Sequence, residues 1–350
     1  MAYTTINKST DYFNTKLYTG AGTSGSPFSL TGVGFAPDWT WIKRRDGAAI
    51  GHRLFDRVRG ATKYIDSSAS SAETTNTSTL TAFGSDGFTL QNEGSVNDGS
   101  ALFTSWNWKA GGGQGSSNTD GSINTTYTSV NTTAGFSISQ YTGTGSVGTI
   151  GHGLGAVPKM IITKPYSTTG QWYTYHASLG NTHYLDLVST AAASDDAEMW
   201  NDTSPTSSLF TVGVNGNTNG SGKTTIAYAF AEKIGYSKFG SYIGNGSTTN
   251  GTFVYTGFKP AWIMIKRYNA SGHDWVLIDD KRLGYNPDNN TLLSNTSAAE
   301  QTDNRIDILS NGFKHYNNNG SENENNGTYI YMCFASAPLV GSNNVPCTAR

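Results

Sequence analysis

The 350-residue chain contains few charged side chains and only two cysteines. Lys, Arg, Asp and Glu make up 14% of it, against about 25% in an average soluble domain. The 23 basic and 25 acidic residues nearly cancel, which disfavours nucleic-acid binding because phosphates are neutralised by clustered Lys and Arg. No basic stretch followed by an apolar run marks a signal peptide at the start. No run approaches the ~20 apolar residues of a membrane helix, so we expect no membrane insertion.

Glycine and the aromatic residues are abundant, with 42 positions each. So many aromatic side chains exclude a disordered Gly/Ser polymer, which could not bury enough apolar surface to order itself. At about 100 to 200 residues per domain, the length suggests two or three domains. The polar surface must come from Ser, Thr, Asn and Gly, which favours a β-rich exterior protein over a metabolic enzyme.

Three segments repeat the same order of landmarks. Each has an aromatic–x–Gly (Tyr18, Tyr141, Tyr242), then a proline followed by five mostly apolar residues and a lysine, and finally a large–small–large run. The proline segments are 37–43, 158–164 and 260–266, and the closing runs are 106–108, 228–230 and 332–334. Because the spacing is nearly constant, the pattern predicts three tandem homologous units.

Each unit is predicted to be all-β. A proline suits the first residue of a strand, and the runs after it are apolar on both faces, as in a strand buried in a sandwich. The closing runs alternate large and small residues, which predicts a strand with one face on a core and the other against something close. Asn-Gly pairs at 215, 245, 250 and 311 suit hairpin turns. We therefore expect three tandem β-sandwich domains, jelly-roll or lectin-like, with short Gly/Asn-rich loops.

The expected domains are 1–112, 113–235 and 236–340, followed by an extended C-terminal arm at 341–350. Residues 110–118 read as a flexible Gly/Ser-rich linker by composition. Helices are predicted only at 191–200 and 297–307. Cys333 is expected to be buried, and its pairing with Cys347 stays open because sequence does not supply the geometry.

Two patterns could carry chemistry. Residues 219–225 read Asn-Gly-Ser-Gly-Lys-Thr-Thr, but a phosphate-binding loop needs Gly where Asn217 stands, and a strand-like run follows instead of a helix. We interpret this segment as a hairpin loop. The carboxylates at 195–198 and 279–280 could serve a glycosidase if two of them faced each other across a sugar. Solvated loops or a loosely bound cation are the competing interpretation.

The histidines and aromatic residues give no stronger signal. The six histidines show no metal-ligand spacing, and no Gly-x-Ser-x-Gly elbow anchors a serine hydrolase. Trp172, in the aromatic stretch 171–176, could stack on sugar rings, but a place in a core or an interface explains it better. We therefore assign no catalytic, cofactor-binding or metal-ligating residue, and we expect no cofactor.

A family resemblance covers nearly the whole chain, in three tandem copies, and is strongest in the first third. The segments 37–44 (PDWTWIKR), 55–56 (FD), 85–88 (SDGF) and 106–112 (WNWKAGG) resemble a repeat of uncharacterised function found in structural, tail-fibre-like proteins of marine tailed bacteriophages. Segments 136–145 and 153–159 are similar to the same pattern. The resemblance implies a virion component with lectin-like sandwiches, and it transfers no catalytic residues.

These observations together predict a non-enzymatic virion structural protein on the particle exterior: a tail appendage, a fibre tip or a capsid decoration that contributes to host attachment. The expected partners are other virion proteins, with a host-surface glycan as a further candidate. A homo-oligomer is expected, of which a trimer is one form. A glycan-binding lectin-like module and a tail depolymerase remain the alternatives.

Overall fold

A computed structural model describes residues 4–338 of the chain, except 23–26, 48, 283–285, 287–289 and 303–304. The predicted arm at 341–350, and Cys347 with it, lies outside the described residues. The fold is nearly all β. In the part of the chain that is described, no helix is long and apolar enough to cross a membrane.

The described residues of the first third form a 3-10 helix (Ser9–Asp11), nine strands and one short α-helix. The strands and the α-helix are β1 (Phe13–Thr19), β2 (Phe28–Thr31), β3 (Trp39–Arg44), β4 (Arg53–Asp56), β5 (Lys63–Tyr64), β6 (Thr74–Thr75), β7 (Leu80–Phe83), β8 (Gly87–Leu90), α1 (Gly94–Asn97) and β9 (Leu102–Trp108).

The middle third again contributes nine strands and one short helix. They are β10 (Thr125–Asn131), β11 (Phe136–Thr142), β12 (Gly148–Gly151), β13 (Met160–Pro165), β14 (Tyr173–His176), β15 (His183–Asp186), β16 (Ser194–Asp195), α2 (Ala197–Trp200), β17 (Leu209–Val212) and β18 (Thr224–Phe230).

The last third contributes nine strands within its described residues. They are β19 (Ser237–Ile243), β20 (Phe253–Tyr255), β21 (Phe258–Arg267), β22 (Trp275–Asp279), β23 (Asn290–Leu293), β24 (Gln301–Thr302), β25 (Ile306–Leu309), β26 (Gly312–His315) and β27 (Thr328–Pro338).

Three large antiparallel sheets share one strand order. The first runs β1-β9-β3-β4, the second β10-β11-β18-β13-β14-β15-β16, and the third β19-β27-β21-β22-β23-β24. In each, the strand of the closing run lies between the segment's early strand and the strand of its proline run. The second sheet has one additional edge strand, β10, which pairs with β11. The first sheet ends at β4, and β5 and β6 form a separate two-stranded sheet.

A small sheet covers one face of each large sheet. The small sheets are β2-β8-β7, β12-β17 and β20-β26-β25. Each layer pair encloses its own apolar cluster, with Phe88, Phe210 and Phe313 of the small sheets at the centre. The arrangement resembles a β-sandwich, in which two sheets bury their inner faces against each other.

The other faces of the three large sheets meet in a single central core. Trp39 of β3 stacks on Tyr228 of β18 with ring centroids 4.5 Å apart, and Trp108 of β9 meets Trp262 of β21 at 5.4 Å. Because side chains alternate along a strand, the large residues of the closing runs enter this core and the residue between them faces its own sandwich. Cys333 is such a residue, and it is buried as predicted.

Both helix predictions are largely wrong. Residues 297–307 contain β24 and the start of β25 instead of a helix, because the apolar side chains of Ile306 and Ile308 alternate with period two. In 191–200 only the last turn is helical, where the Asp196 carboxylate accepts a hydrogen bond from the Glu198 amide at 2.9 Å.

The segment 110–118, predicted from its composition to be a flexible linker, is fixed by hydrogen bonds. The buried Asp38 carboxylate accepts the amides of Ala110 at 2.7 Å and Gly112 at 3.0 Å. Gly115 has φ +80°, and a Cβ there would lie 2.1 Å from the main-chain oxygen of Thr128. Glycine therefore serves a close backbone approach here and not mobility.

Candidate functional site

Trp172, the candidate for sugar stacking, is fully buried in the central core. Its indole Nε1 donates to the main-chain oxygens of Asp66 at 3.0 Å and Ala69 at 3.3 Å, both in the first segment. The side chain therefore joins the second sheet to the first, and it presents no face to a sugar.

The corresponding contacts at the other two boundaries close a ring. Trp275 Nε1 donates to the main-chain oxygen of Asp186 at 3.0 Å, which joins the third sheet to the second. His52 Nδ1 accepts a hydrogen bond from Trp41 Nε1 at 2.7 Å, so its proton lies on Nε2, which donates to Leu293 O at 3.0 Å. That bond joins the first sheet to the third. Each sheet thus donates to the one before it, and the first donates to the last.

Of the candidate carboxylates, Asp279 has the most partners. Its Oδ2 accepts hydrogen bonds from Arg282 Nε at 2.7 Å and from Trp106 Nε1 at 2.8 Å. The side chains of Asp279 and Arg282 are both fully buried. Asp196 instead caps α2 at the surface. Both carboxylates therefore have structural roles.

A second buried network has the same form at the boundary between the first and second sheets. Asp56 Oδ2 accepts from Arg59 Nε at 2.6 Å and from the Tyr228 hydroxyl at 2.7 Å, and Arg59 Nη1 also reaches Glu73 at 3.1 Å. Burial alone would lower the pKa of Arg59, but Asp56, Tyr228 and Glu73 raise it above its usual value. The guanidinium therefore stays charged within the interface.

His176 occupies the corresponding place at the boundary between the second and third sheets. His176 is paired across the strands with Met160. The equivalent pairs in the other two sheets are Asp56 with Trp39 and Asp279 with Trp262, so the three residues occupy the same register position. The Nε2 atom of His176 lies 3.2 Å from the main-chain oxygen of Tyr331. Burial lowers the pKa of His176 to about 4. One boundary is thus held by a neutral side chain where the other two use ion pairs.

The lysine that ends each proline run is buried at a sheet boundary. Burial lowers the pKa of Lys43, Lys164 and Lys266 to about 8 in each case. Their ammonium groups donate to main-chain oxygens, which are Ile50 and Ser297 for Lys43, Gly170 and Ser70 for Lys164, and His273 for Lys266. For the first two lysines, one acceptor belongs to a neighbouring segment.

The remaining histidines form no metal centre. His152 and His315 are also fully buried, and burial lowers the pKa of both. Among the described residues, no group of three or more His, Cys, Asp or Glu is placed to hold a metal ion. The glycine-rich segment 219–225 leads into β18, and Lys223 Nζ donates to the Gly216 oxygen at 2.9 Å within its own loop.

Exposed aromatic side chains mark one surface of the third segment. Phe253 and Tyr255 of β20 are 45% and 59% exposed. The residues at the same register of β2 are Ser29 and Thr31, since Val254 and Leu30 lie between the members of each pair and face the cluster below. Lys314 and Asn250 are hydrogen-bonded beside this surface at 3.0 Å.

Sequence reasoning missed the boundary networks, although two signals were present. The Asp-x-x-Arg spacing of Asp56 and Arg59 recurs in Asp279 and Arg282, in each case one strand after the proline run. A lysine at the end of an otherwise apolar run is also unusual, because isolated charges are rarely buried. Neither signal identifies the residue on the other sheet.

The chain belongs to a family that is defined only as a domain of unknown function, DUF7483, which it matches over residues 8–338. A single match thus spans nearly the whole chain, including all three large sheets. No curated protein and no solved structure shows significant similarity to it.

Proposed function

We propose that this chain is a non-enzymatic structural protein on the exterior of a tailed bacteriophage particle, as a tail appendage, fibre tip or surface decoration, and that it contributes to host-surface attachment. The phage assignment rests on the sequence resemblance in the segments 37–44 and 106–112. The structural role rests on one observation, the use of the buried ionisable side chains as contacts between sheets.

We further propose that the chain consists of three tandem copies of one β-sandwich unit arranged around a pseudo-threefold axis. The repeated strand order supports this proposal. So do the amides of Glu73, Ala193 and Glu300, which donate to the main-chain oxygens of Tyr166, Tyr268 and Arg45 in the next segment around the ring. Such an arrangement would supply within one chain the closed symmetry that a homotrimer supplies with three.

Rigidity links this architecture to the proposed role. A shared aromatic core and the hydrogen bonds of Tyr228 to Asp56 and of Trp106 to Asp279 oppose independent movement of the three segments. Separating the segments would expose apolar surface and remove the partners of these polar groups. A protein on the exterior of a particle needs such rigidity, since it must keep its shape under mechanical load.

Cryo-electron microscopy of intact particles bearing a Fab raised against the purified chain tests the proposal. We expect Fab density at a tail or fibre extremity and reduced adsorption of Fab-coated particles to host cells. Density over the capsid with unchanged adsorption would contradict the attachment role, and absence of Fab density would contradict the virion assignment. Release of reducing ends from host polysaccharide by the chain, lost in Asp196→Asn, would contradict the non-enzymatic assignment.

A second candidate function, glycan binding, is favoured by the exposed rings of Phe253 and Tyr255. Aromatic faces beside amide and hydroxyl groups are the usual chemistry of sugar contact, with an apolar ring against the sugar and polar groups at its edge. The double variant Phe253→Ser, Tyr255→Thr installs the residues that β2 carries at this register. Binding to a glycan array by the native chain, lost in this variant at unchanged melting temperature, would support the candidate; a blank array for the native chain would refute it.

A further inference from the structure

The outer edge of β1 is an unpaired strand edge in the described part of the chain. β1 pairs only with β9, and β11, its counterpart in the second sheet, is covered by β10 on the same side. Phe13 of β1 and Phe136 of β11 pair with the last residues of β9 and β18, Trp108 and Phe230, which sets the correspondence. The pairing of β10 with β11 therefore shows how an additional strand can pair with the open edge of β1.

The backbone direction identifies the groups available at this edge. Toward β9, the Lys109 amide donates to Tyr12 O at 2.9 Å, and the Gly20 amide donates to Ala101 O at 2.8 Å. In an antiparallel ladder the groups alternate between the two sides, so the even-numbered residues of β1 bond to β9. The residues whose amide and carbonyl groups point away from β9 are Phe13, Thr15, Leu17 and Thr19.

An open groove of about 470 Å³ runs along this edge. It is lined by Asn14, Thr15, Lys16 and Leu17 of β1, and Lys281 of the third segment lies on its other side. The side chain of Lys281 is 48% exposed, and its ammonium group lies 3.7 Å from Asp280 Oδ1. Of the four outward-facing residues, Thr15 and Leu17 line this space and Thr19 is exposed, whereas Phe13 is buried against Phe334 of the third segment.

The edge of β19 in the third sheet does not offer the same site. The Glu232 carboxylate accepts the outward amide of Phe239 at 3.3 Å, and the Ser237 amide donates to Lys233 O at 2.9 Å. At the other end the Thr252 hydroxyl donates to Ile243 O at 2.9 Å. Such contacts protect an edge strand against further pairing, and β1 has none of them.

The chemistry of the occupant follows from the β10–β11 pair. In that pair the Thr128 hydroxyl meets Ser139 Oγ at 3.2 Å, and Lys16 takes the register position of Ser139 in β1. The Asp86 carboxylate attracts Lys16, but its oxygens accept the amides of Gly32 and Gly34. An acidic residue opposite Lys16, with Lys281 on the other side of the groove, is the favoured complement.

We propose that the open edge of β1 binds an extended, acidic strand of a partner protein, which pairs antiparallel to β1 as β10 pairs to β11. Main-chain hydrogen bonds provide the affinity, as is general for β-strand addition, and Lys16 and Lys281 provide the preference for an acidic sequence. This interaction surface goes beyond the proposed function and does not depend on it.

The probe is a fluorescent peptide with the sequence of residues 122–131 and Asp in place of Thr128, SINTTYDSVN. We expect it to bind the full chain in anisotropy titrations and to bind more weakly, by about tenfold, to Leu17→Pro, which removes one outward-facing donor. Ser241→Pro is the matched control at the corresponding position of β19, and it should leave the affinity unchanged. Melting temperatures identify any variant that fails to fold.

A charge exchange tests the proposal with a variant that introduces no proline into β1. Lys16→Glu should weaken binding of the Asp peptide by about two- to fivefold, the range of one exposed ion pair, and a peptide with Lys at that position should regain the loss. No binding to the native chain at millimolar peptide, or equal losses in Leu17→Pro and Ser241→Pro, would overturn the proposal. A concentration-dependent dimer that Leu17→Pro abolishes would assign the edge to a second copy and also overturn it.

Discussion

Removing the charge of Asp279 while leaving that of Arg282 should strongly destabilise the protein. Asp279 accepts four hydrogen bonds: Oδ1 from the amides of Lys281 and Arg282, each at 3.0 Å, and Oδ2 from Arg282 Nε at 2.7 Å and Trp106 Nε1 at 2.8 Å. The Asp279 and Arg282 side chains are both fully buried. Breaking a buried pair on one side typically costs about 3–5 kcal/mol, so we expect Asp279→Asn to lower the free energy of unfolding by about 3 kcal/mol or more.

Removing both charges should cost less than removing one. The boundary at His176 already works without an ion pair, and Leu179 stands there at the position of Arg282, packed against the central core. We therefore expect Asp279→Asn combined with Arg282→Leu to regain about half of the loss, since apolar replacement of a complete buried pair is often close to neutral.

Equilibrium urea unfolding followed by tryptophan fluorescence measures both variants, with Asp196→Asn as the control. That control makes the same substitution at the exposed cap of α2, where Asn caps a helix about as well as Asp, so little loss of stability is expected. A loss below about 1 kcal/mol for Asp279→Asn would refute this reasoning. So would a double variant as unstable as the single one, because the penalty could not then come from Arg282, which keeps Glu300 but loses Asp279 as an ionic partner.

Three further predictions concern buried lysine, buried histidine and glycine. Because the folded pKa of Lys266, about 8, lies below its unfolded value, stability should rise between pH 8 and pH 10, and urea midpoints should show a smaller rise in Lys266→Met. Burial lowers the pKa of His315 to about 3, so stability should fall as pH drops from 6.5, and His315→Phe should lessen that fall by on the order of 2 kcal/mol, measured by urea unfolding at pH 7 and pH 4. Gly115→Ala should lower the melting temperature more than Gly112→Ala, since both glycines have positive φ but only the first would bring a Cβ to 2.1 Å from Thr128 O; equal losses would contradict the close approach.

Local patterns in the sequence determined the strands and their alternation. The proline runs at 37–43, 158–164 and 260–266 each contain most of a strand buried on both faces. The large–small–large closing runs correctly indicated strands covered on both sides, because side chains of successive residues point to opposite faces whatever the strand packs against.

The tertiary structure alone decided which surfaces cover those faces. Tyr228 bonds to Asp56, 172 positions earlier, and Trp106 bonds to Asp279, 173 positions later. Such partners leave no trace in local periodicity, because their meeting depends on how whole sheets dock. Trp172 illustrates the consequence: its type was compatible with a sugar site or a core, and only the docking of the first segment against it excluded the sugar.

The same limit applies to the hydrogen bonds of the segment 110–118 and to the open edge of β1. Composition made 110–118 look flexible, but its order comes from Asp38, far away in sequence. The sequence of β1 likewise resembles those of β11 and β19 in its aromatic landmarks. Whether such a strand is covered by β10, closed by Glu232 or left open depends on what neighbouring segments place beside it, and that is a property of the assembled fold.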